Sequence, residues 1–287
     1  MSERFSHVLN VIAENARALA RDLRLFGETI WLSEDYAFEI QILGNPGEVL
    51  ARIGTVSNAD INVIPAENRR KKLLIADMDS TIISCECLDE LADVAGLKPR
   101  IAAITERAMR GEIEFEGALR ERVGLLKGLS LDALGQTYHE RVRLNPGAKA
   151  LTATMKAHGA RALLVSGGFT YFTERVAAAA GFDDHQANVL LDDGATLHGT
   201  VREPILGREA KLAALEAETK ALGITSSDVL AVGDGANDLA MIQRAGLGVA
   251  YHAKPVVAEA AAARIAHGDL KSLLYLQGYR DEEIVDA

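Results

Sequence analysis

From residue 69 onward, short apolar runs alternate with segments whose apolar residues recur at helical spacing. The runs are Lys72–Ala76, Ala162–Val165, Val229–Val232, Leu247–Ala250 and a weaker fifth at Ala263–Ala266. Runs this short and this continuously apolar predict strands buried on both faces, as in a parallel sheet between two helical layers. Helices are predicted at Ala148–His158, Tyr171–Ala180 and Arg208–Leu222. The last two end at Gly181 and Gly223, residues suited to the left-handed turn that closes a helix. The pattern predicts an α/β fold with a doubly wound parallel sheet.

Two stretches break this alternation. Residues 85–143 hold no strand pattern and many charges, which predicts a helical insertion between the first and second strands. Gln186–Arg202 shows two β-like runs around Asp193-Gly194, a hairpin signal. The first 68 residues follow a different order: strand His7–Ile12, helix Glu14–Leu25, strands Glu28–Leu32 and Ala37–Ile40, helix Glu48–Ile53, strand Asp60–Ile64. That βαββαβ order predicts a small ferredoxin-like α+β domain over residues 1–68. Ala66–Arg70 then serves as linker to a second domain, residues 69–287.

Composition narrows the chemistry. A formal net charge of -10 leaves no concentrated basic surface, so nucleic acid is not an expected partner. No apolar stretch reaches the ~20 residues of a membrane helix, and MSERFSHVLNV lacks the pattern of a secretory leader. Cys85 and Cys87 are too close in sequence to staple the fold and too few for a zinc cage. They read as reduced thiols, and a cytoplasmic location is expected.

In an open parallel sheet, ligands bind beyond the carboxyl ends of the strands. The first run ends in Asp77, Asp79 and Thr81, the second in Ser166-Gly167-Gly168, and the third in Gly233-Asp234-Gly235-Ala236-Asn237-Asp238. Each string alone is an ordinary turn; three at one predicted rim are not ordinary. Asp77 and Asp79 repel each other, and Asp234 adds to the crowding, unless a cation sits among them. Mg2+ fits, because it takes one or two carboxylates and completes its shell with water and phosphate oxygen. Ser166 and Gly167 then offer a hydroxyl and a backbone N–H to a phosphate. Lys211, otherwise one more solvated lysine, is the candidate cation.

The ordered set D-x-D-S-T, S-G-G, a helical lysine and G-D-G-x-N-D resembles the haloacid dehalogenase-like phosphotransferases over about residues 72–275. Within them it is similar to the phosphatases that act on O-phospho-L-serine. The resemblance implies a Rossmann-like sheet with a helical cap inserted after the first strand, at about 85–143. It implies Asp77 as nucleophile, forming an aspartyl phosphate, and Asp79 as general acid, then base. The metal would be held by the Asp77 and Asp234 carboxylates and the Asp79 backbone carbonyl. Ser166, Gly167 and Lys211 would hold the phosphate, Asn237 would help close the site, and Asp238 would orient Lys211. In the cap, the family match sets Glu86 opposite the substrate amine and Arg122 opposite its carboxylate, with Met109 and Phe115 as apolar contacts. Taken singly, Glu86 is a surface acid and Arg122 a helix arginine ion-paired beside Glu121.

The implied reaction is Mg2+-dependent hydrolysis of phosphoserine to serine, the last step of serine biosynthesis. Transfer of the phosphoryl group to a second alcohol stays open, as do phosphothreonine and other small phosphorylated amines as substrates. A non-catalytic phosphate sensor would have no need of an acid at Asp79. For residues 1–68 the resemblance implies an ACT-like regulatory domain or a homodimer contact.

Overall fold

The computed structural model describes residues 5–43, 45–110 and 112–286. Its first sheet is antiparallel, built from β1 (His7–Ala13), β2 (Thr29–Ser33), β3 (Ala37–Ile42) and β4 (Ala59–Pro65) in the order β2-β3-β1-β4. Helices α1 (Ala16–Leu23) and α2 (Pro46–Ile53) cover one face. Period-two alternation explains how. Leu9, Val11, Phe38 and Ile40 meet Ala16, Leu19 and Val49 on the helical side, while Val8, Ile12, Ala37 and Ile64 turn toward the main core.

The second sheet holds β5 (Leu73–Ala76), β6 (Arg161–Phe169), β7 (Asp184–Asn188), β10 (Val229–Gly233), β11 (Leu247–Tyr251) and β12 (Ala263–Ile265), in the order β12-β11-β10-β5-β6-β7 and all parallel. Both faces are buried: Leu74, Leu164, Leu230 and Val249 join one core, and Ile75, Leu163, Ala231 and Ala250 the other. Helices α7 (Ala148–Ala157), α8 (Thr170–Ala180), α9 (Arg208–Leu222), α10 (Leu239–Arg244), α11 (Pro255–Ala260) and α12 (Ser272–Leu276) complete this part. The insertion after β5 is helical: α3 (Cys87–Val94), α4 (Lys98–Met109), α5 (Phe115–Gly124) and α6 (Leu131–Arg141). A hairpin, β8 (Leu190–Asp192) with β9 (Leu197–Val201), lies against it through Gly128 N–H to Leu197 C=O and Leu131 N–H to Ala195 C=O.

Two details differ from the sequence pattern. The sheet has a sixth strand, β7, which the polar string Asp184–Asn188 conceals. It lies at the sheet edge, where no apolar run is required. Ser166-Gly167-Gly168 does not follow β6 as a turn either. The strand stays extended through Phe169, with its register to β7 broken between Val165 and Phe169.

The linker is fastened rather than loose. Arg69 Nη1 lies 2.6 Å from Glu39 Oε2, both side chains largely buried, and Arg69 also donates to the Leu276 carbonyl. Asn62 exchanges two hydrogen bonds with the Arg264 backbone, and Asp60 accepts from Ala266, His267 and Gly268. These two side chains satisfy the outer edge of β12 where no further strand pairs with it. Arg69→Ala strands the Glu39 carboxylate in that interface, so stability should fall by about 3 kcal/mol. Denaturant unfolding measures it; a loss under about 1 kcal/mol, the scale of an exposed pair, would contradict the account.

Candidate active site

Register puts the site together. Ala76 pairs with Val232 on one side and Leu164 on the other. The residues just beyond, Asp77, Ser166 and Asp234, therefore gather at one rim of the sheet. After Asp77 the chain makes a single wide turn, Met78–Ile82, closed by Ile83 N–H to Met78 C=O at 3.0 Å. Ser80 takes a left-handed conformation (φ 55) inside it. The turn hands the chain to the cap, which re-enters at Asn145; Asn145 Nδ2 donates to the Thr81 and Ile83 carbonyls.

Lys211 is no solvated lysine. It is 2% exposed, and its Nζ lies 2.6 Å from Asp77 Oδ1 and 2.5 Å from Asp238 Oδ1. Burial opposes its charge, but Asp77 and Asp238 more than offset that and hold its pKa above the ordinary lysine value. Asp77 Oδ1 also accepts from Met78 N–H at 2.8 Å. Burial first, and Asp238 next, still hold the Asp77 carboxyl well above the usual range despite Lys211. Asp238 accepts from Gly235 N–H at 3.0 Å with its other oxygen. Gly233 is glycine because Asp238 occupies the place of any Cβ there.

Asp79 has different partners. Its Oδ1 accepts from Cys87 N–H at 2.8 Å, where α3 begins, and its Oδ2 from Ser166 Oγ at 3.2 Å. Burial, then the Glu86 carboxylate, push it up to about 6. Asp234 is likewise pushed up to about 6, by burial and by Asp238 and Glu86, and accepts from Thr81 Oγ1 at 3.4 Å. Ligand oxygens of Asp77, Asp234 and Asp238 lie within 4.8 Å of one another. This all-oxygen donor set, with Lys211 in contact with two of its three carboxylates, fits a hard divalent ion. The Asp79 carboxylate is outside the trio.

The cap residues take up separate stations. Ser80 Oγ donates to Glu86 Oε1 at 2.6 Å. Arg122 makes no ion pair within 4 Å among the described residues; burial lowers its pKa while Asp89 and Glu86 act against that. Its neighbour Glu121 instead binds Arg107 at 2.8 Å. The Phe115 ring lies over two glycines, such that a Cβ on Gly167 would sit 3.4 Å from its Cζ and one on Gly207 3.5 Å from its Cδ1. Asn237 is half-buried on the turn between Asp234 and Asp238, packed against Gly235. The side chain of Met109 lies outside the described residues.

The family model of haloacid dehalogenase-like hydrolases matches residues 74–243. The chain belongs to that family. This hydrolase is 49% identical to a curated phosphoserine phosphatase of Polaromonas over 71% of its own length and 89% of the relative's. Among solved structures it is similar to a probable phosphoserine phosphatase of Vibrio cholerae, with TM-score 0.79, 30% identity and coverage of 96% and 87%. It is also similar to a structure described as a phospho-aspartyl intermediate analogue of phosphoserine phosphatase, with TM-score 0.66, 38% identity and coverage of 72% and 98%.

Sequence reading missed Gly207, the Cys87 amide and Asn145. Gly207 carries no motif; the fold alone sets it under the Phe115 ring, which a Cβ there would touch at ordinary contact distance. Gly168 gives a direct test of the hydrolase geometry, since a Cβ there would lie 3.0 Å from Ser166 Oγ and 3.1 Å from Asp79 Oδ2. Gly168→Ala should lower kcat about a hundredfold, the scale of a misplaced reacting group, with little change in melting temperature. Unchanged kcat would contradict this geometry.

Proposed function

We propose that the chain hydrolyses O-phospho-L-serine to L-serine and phosphate in a Mg2+-dependent reaction, through an aspartyl phosphate on Asp77. The observation that carries the reading is the division of partners between two acids one residue apart: Asp77 with Lys211, Asp79 with Ser166 and the Cys87 amide. Asp77 is oriented as a nucleophile, and Asp79 stands apart as a proton carrier.

In the first step an Asp77 oxygen forms a bond to phosphorus, and the bond from phosphorus to the seryl oxygen breaks. Asp79, protonated at the start, gives its proton to that oxygen, so serine leaves as a neutral alcohol. In the second step Asp79 takes a proton from water, whose oxygen attacks phosphorus and releases phosphate and free Asp77. Splitting the hydrolysis makes each displacement easier. Ser166 Oγ, the Gly167 N–H and Lys211 hold the phosphoryl oxygens and balance their charge. Asp77, Asp234 and the Asp79 carbonyl would hold Mg2+, with Asp238 kept for Lys211. The bound ion supplies positive charge that lets a carboxylate approach a phosphate dianion.

Specificity rests with the cap. Arg122, a part-buried guanidinium with no ion-pair partner within 4 Å among the described residues, is suited to a bidentate hold on the substrate carboxylate. Glu86 faces the ammonium, and Phe115 closes over Gly167 and Gly207. Asn237 helps close the rim. We read residues 69–287 as the phosphatase domain, with its cap at about 85–143, and residues 1–68 as a small ACT-like domain on the strength of its βαββαβ order. With serine as product, the enzyme belongs at the last step of serine biosynthesis, and two reduced cysteines fit the cytoplasm.

Phosphate release from phosphoserine, phosphothreonine and phosphoethanolamine, with Mg2+ and with chelator, tests this. Rapid release from phosphoserine, lost with chelator and in Asp77→Asn, is expected. No release from any of the three would overturn the reading. Arg122→Lys should raise KM for phosphoserine about tenfold or more, because a point charge replaces a two-pronged donor. The same substitution should leave phosphoethanolamine, which lacks the carboxylate, nearly unaffected; an equal loss on both would remove Arg122 from that role.

A further inference from the structure

We propose that Asn188 is a positioning residue for phosphoryl transfer, acting through the Gly167–Gly168 peptide on the Ser166 hydroxyl. The inference rests on the phosphatase reading, in which Ser166 and Gly167 hold the phosphoryl group.

The need for such a residue arises in the sheet. β6 and β7 stay in register from Leu163 and Asp184 to Val165 and Gln186, then shift so that Phe169 faces Asn188. Between those points Ser166, Gly167 and Gly168 lose their ladder partners, as a strand does at a bulge. A backbone carbonyl freed this way must find another donor or face water. Asn188, 2% exposed at the end of β7, supplies it. Its Nδ2 donates to the Gly167 carbonyl at 2.9 Å and to the Leu206 carbonyl at 3.2 Å, and its Oδ1 accepts from Leu206 N–H at 2.7 Å.

The bond to Gly167 reaches further than one carbonyl. Gly167 C=O and Gly168 N–H belong to one planar peptide, so holding the oxygen fixes the direction of the N–H. That N–H donates to Ser166 Oγ at 2.9 Å. With one lone pair so engaged, the Ser166 hydroxyl donates its own proton to Asp79 Oδ2 at 3.2 Å. A chain of hydrogen bonds thus runs from Asn188 through the peptide and the hydroxyl to the acid. The bonds to Leu206 tie the same peptide to the residue just before Gly207, where the helix carrying Lys211 starts. The Phe115 ring packs over Gly167 and Gly207. Asn188 therefore sets the spacing of the two backbone segments between which the phosphoryl group is held.

Asn188→Leu removes all three bonds while keeping the branched outline of the side chain, and Asn188→Ser keeps a short polar group. Each is measured alone and in a Ser166→Ala background, with Mg2+ and phosphoserine, after thermal melting confirms a folded chain. If Asn188 acts through Ser166, Asn188→Leu should lower kcat/KM about thirtyfold in the native background and less than about threefold beside Ser166→Ala. Asn188→Ser should fall between wild type and Asn188→Leu. An equal loss in both backgrounds, or unchanged kcat/KM in either folded variant, would overturn the role. A wild-type chain that releases no phosphate overturns the phosphatase reading instead, and the role of Asn188 with it.

Discussion

One buried ammonium holds the rim of this molecule together. Lys211 stands between Asp77 and Asp238, out of water, and removing it would leave two buried carboxylates facing each other without a counter-ion. Its helix must end its approach at the sheet rim, which fixes where α9 begins. Asp238 must face inward, which is why Gly233 carries no side chain and Gly235 offers its N–H. The string Gly-Asp-Gly-x-Asn-Asp is in this sense a description of how to bury a cation beside a parallel strand.

The same balance separates two acids that sequence places almost together. Asp77 is bound to the ammonium, so its orientation is set from the sheet side. Asp79 lies inside the wide turn, just before the left-handed Ser80, and its partners come from β6 and from the start of the cap. The cap therefore touches Asp79 directly through the Cys87 amide, whereas Asp77 is held by Lys211 of α9 and by the Met78 amide. Any movement of α3 would bear on Asp79 before it bore on Asp77.

The sheet, its helices and the gathering of three polar strings at one rim were legible because they follow local rules. Apolar runs mark strands buried on both faces, and acids with glycines mark strand ends that meet a ligand. The N-terminal βαββαβ order was legible for the same reason. What stayed hidden depends on contacts between distant segments. β7 is polar because it lies at an edge, and Ser166–Gly168 looks like a turn because its glycines are needed for space. Asn188 and Gly207 follow no local pattern; one fills a gap in the ladder and the other lies under the Phe115 ring. Lys211 read alone as a surface lysine, and only the fold brings its two carboxylates to it. The fastening of the N-terminal sheet by Asp60, Asn62 and Arg69 was equally invisible, since each is an ordinary polar residue until its partner is known.

The central claim is that Asp77 carries the phosphoryl group during turnover. Rapid acid quench of the enzyme with phosphoserine and Mg2+, followed by borohydride reduction and peptide mass spectrometry, tests it directly. Reduction marks an acyl phosphate by converting that aspartate to homoserine, and the account predicts the mark at Asp77 alone. A mark on another acid, or none while phosphate is being released, would contradict it.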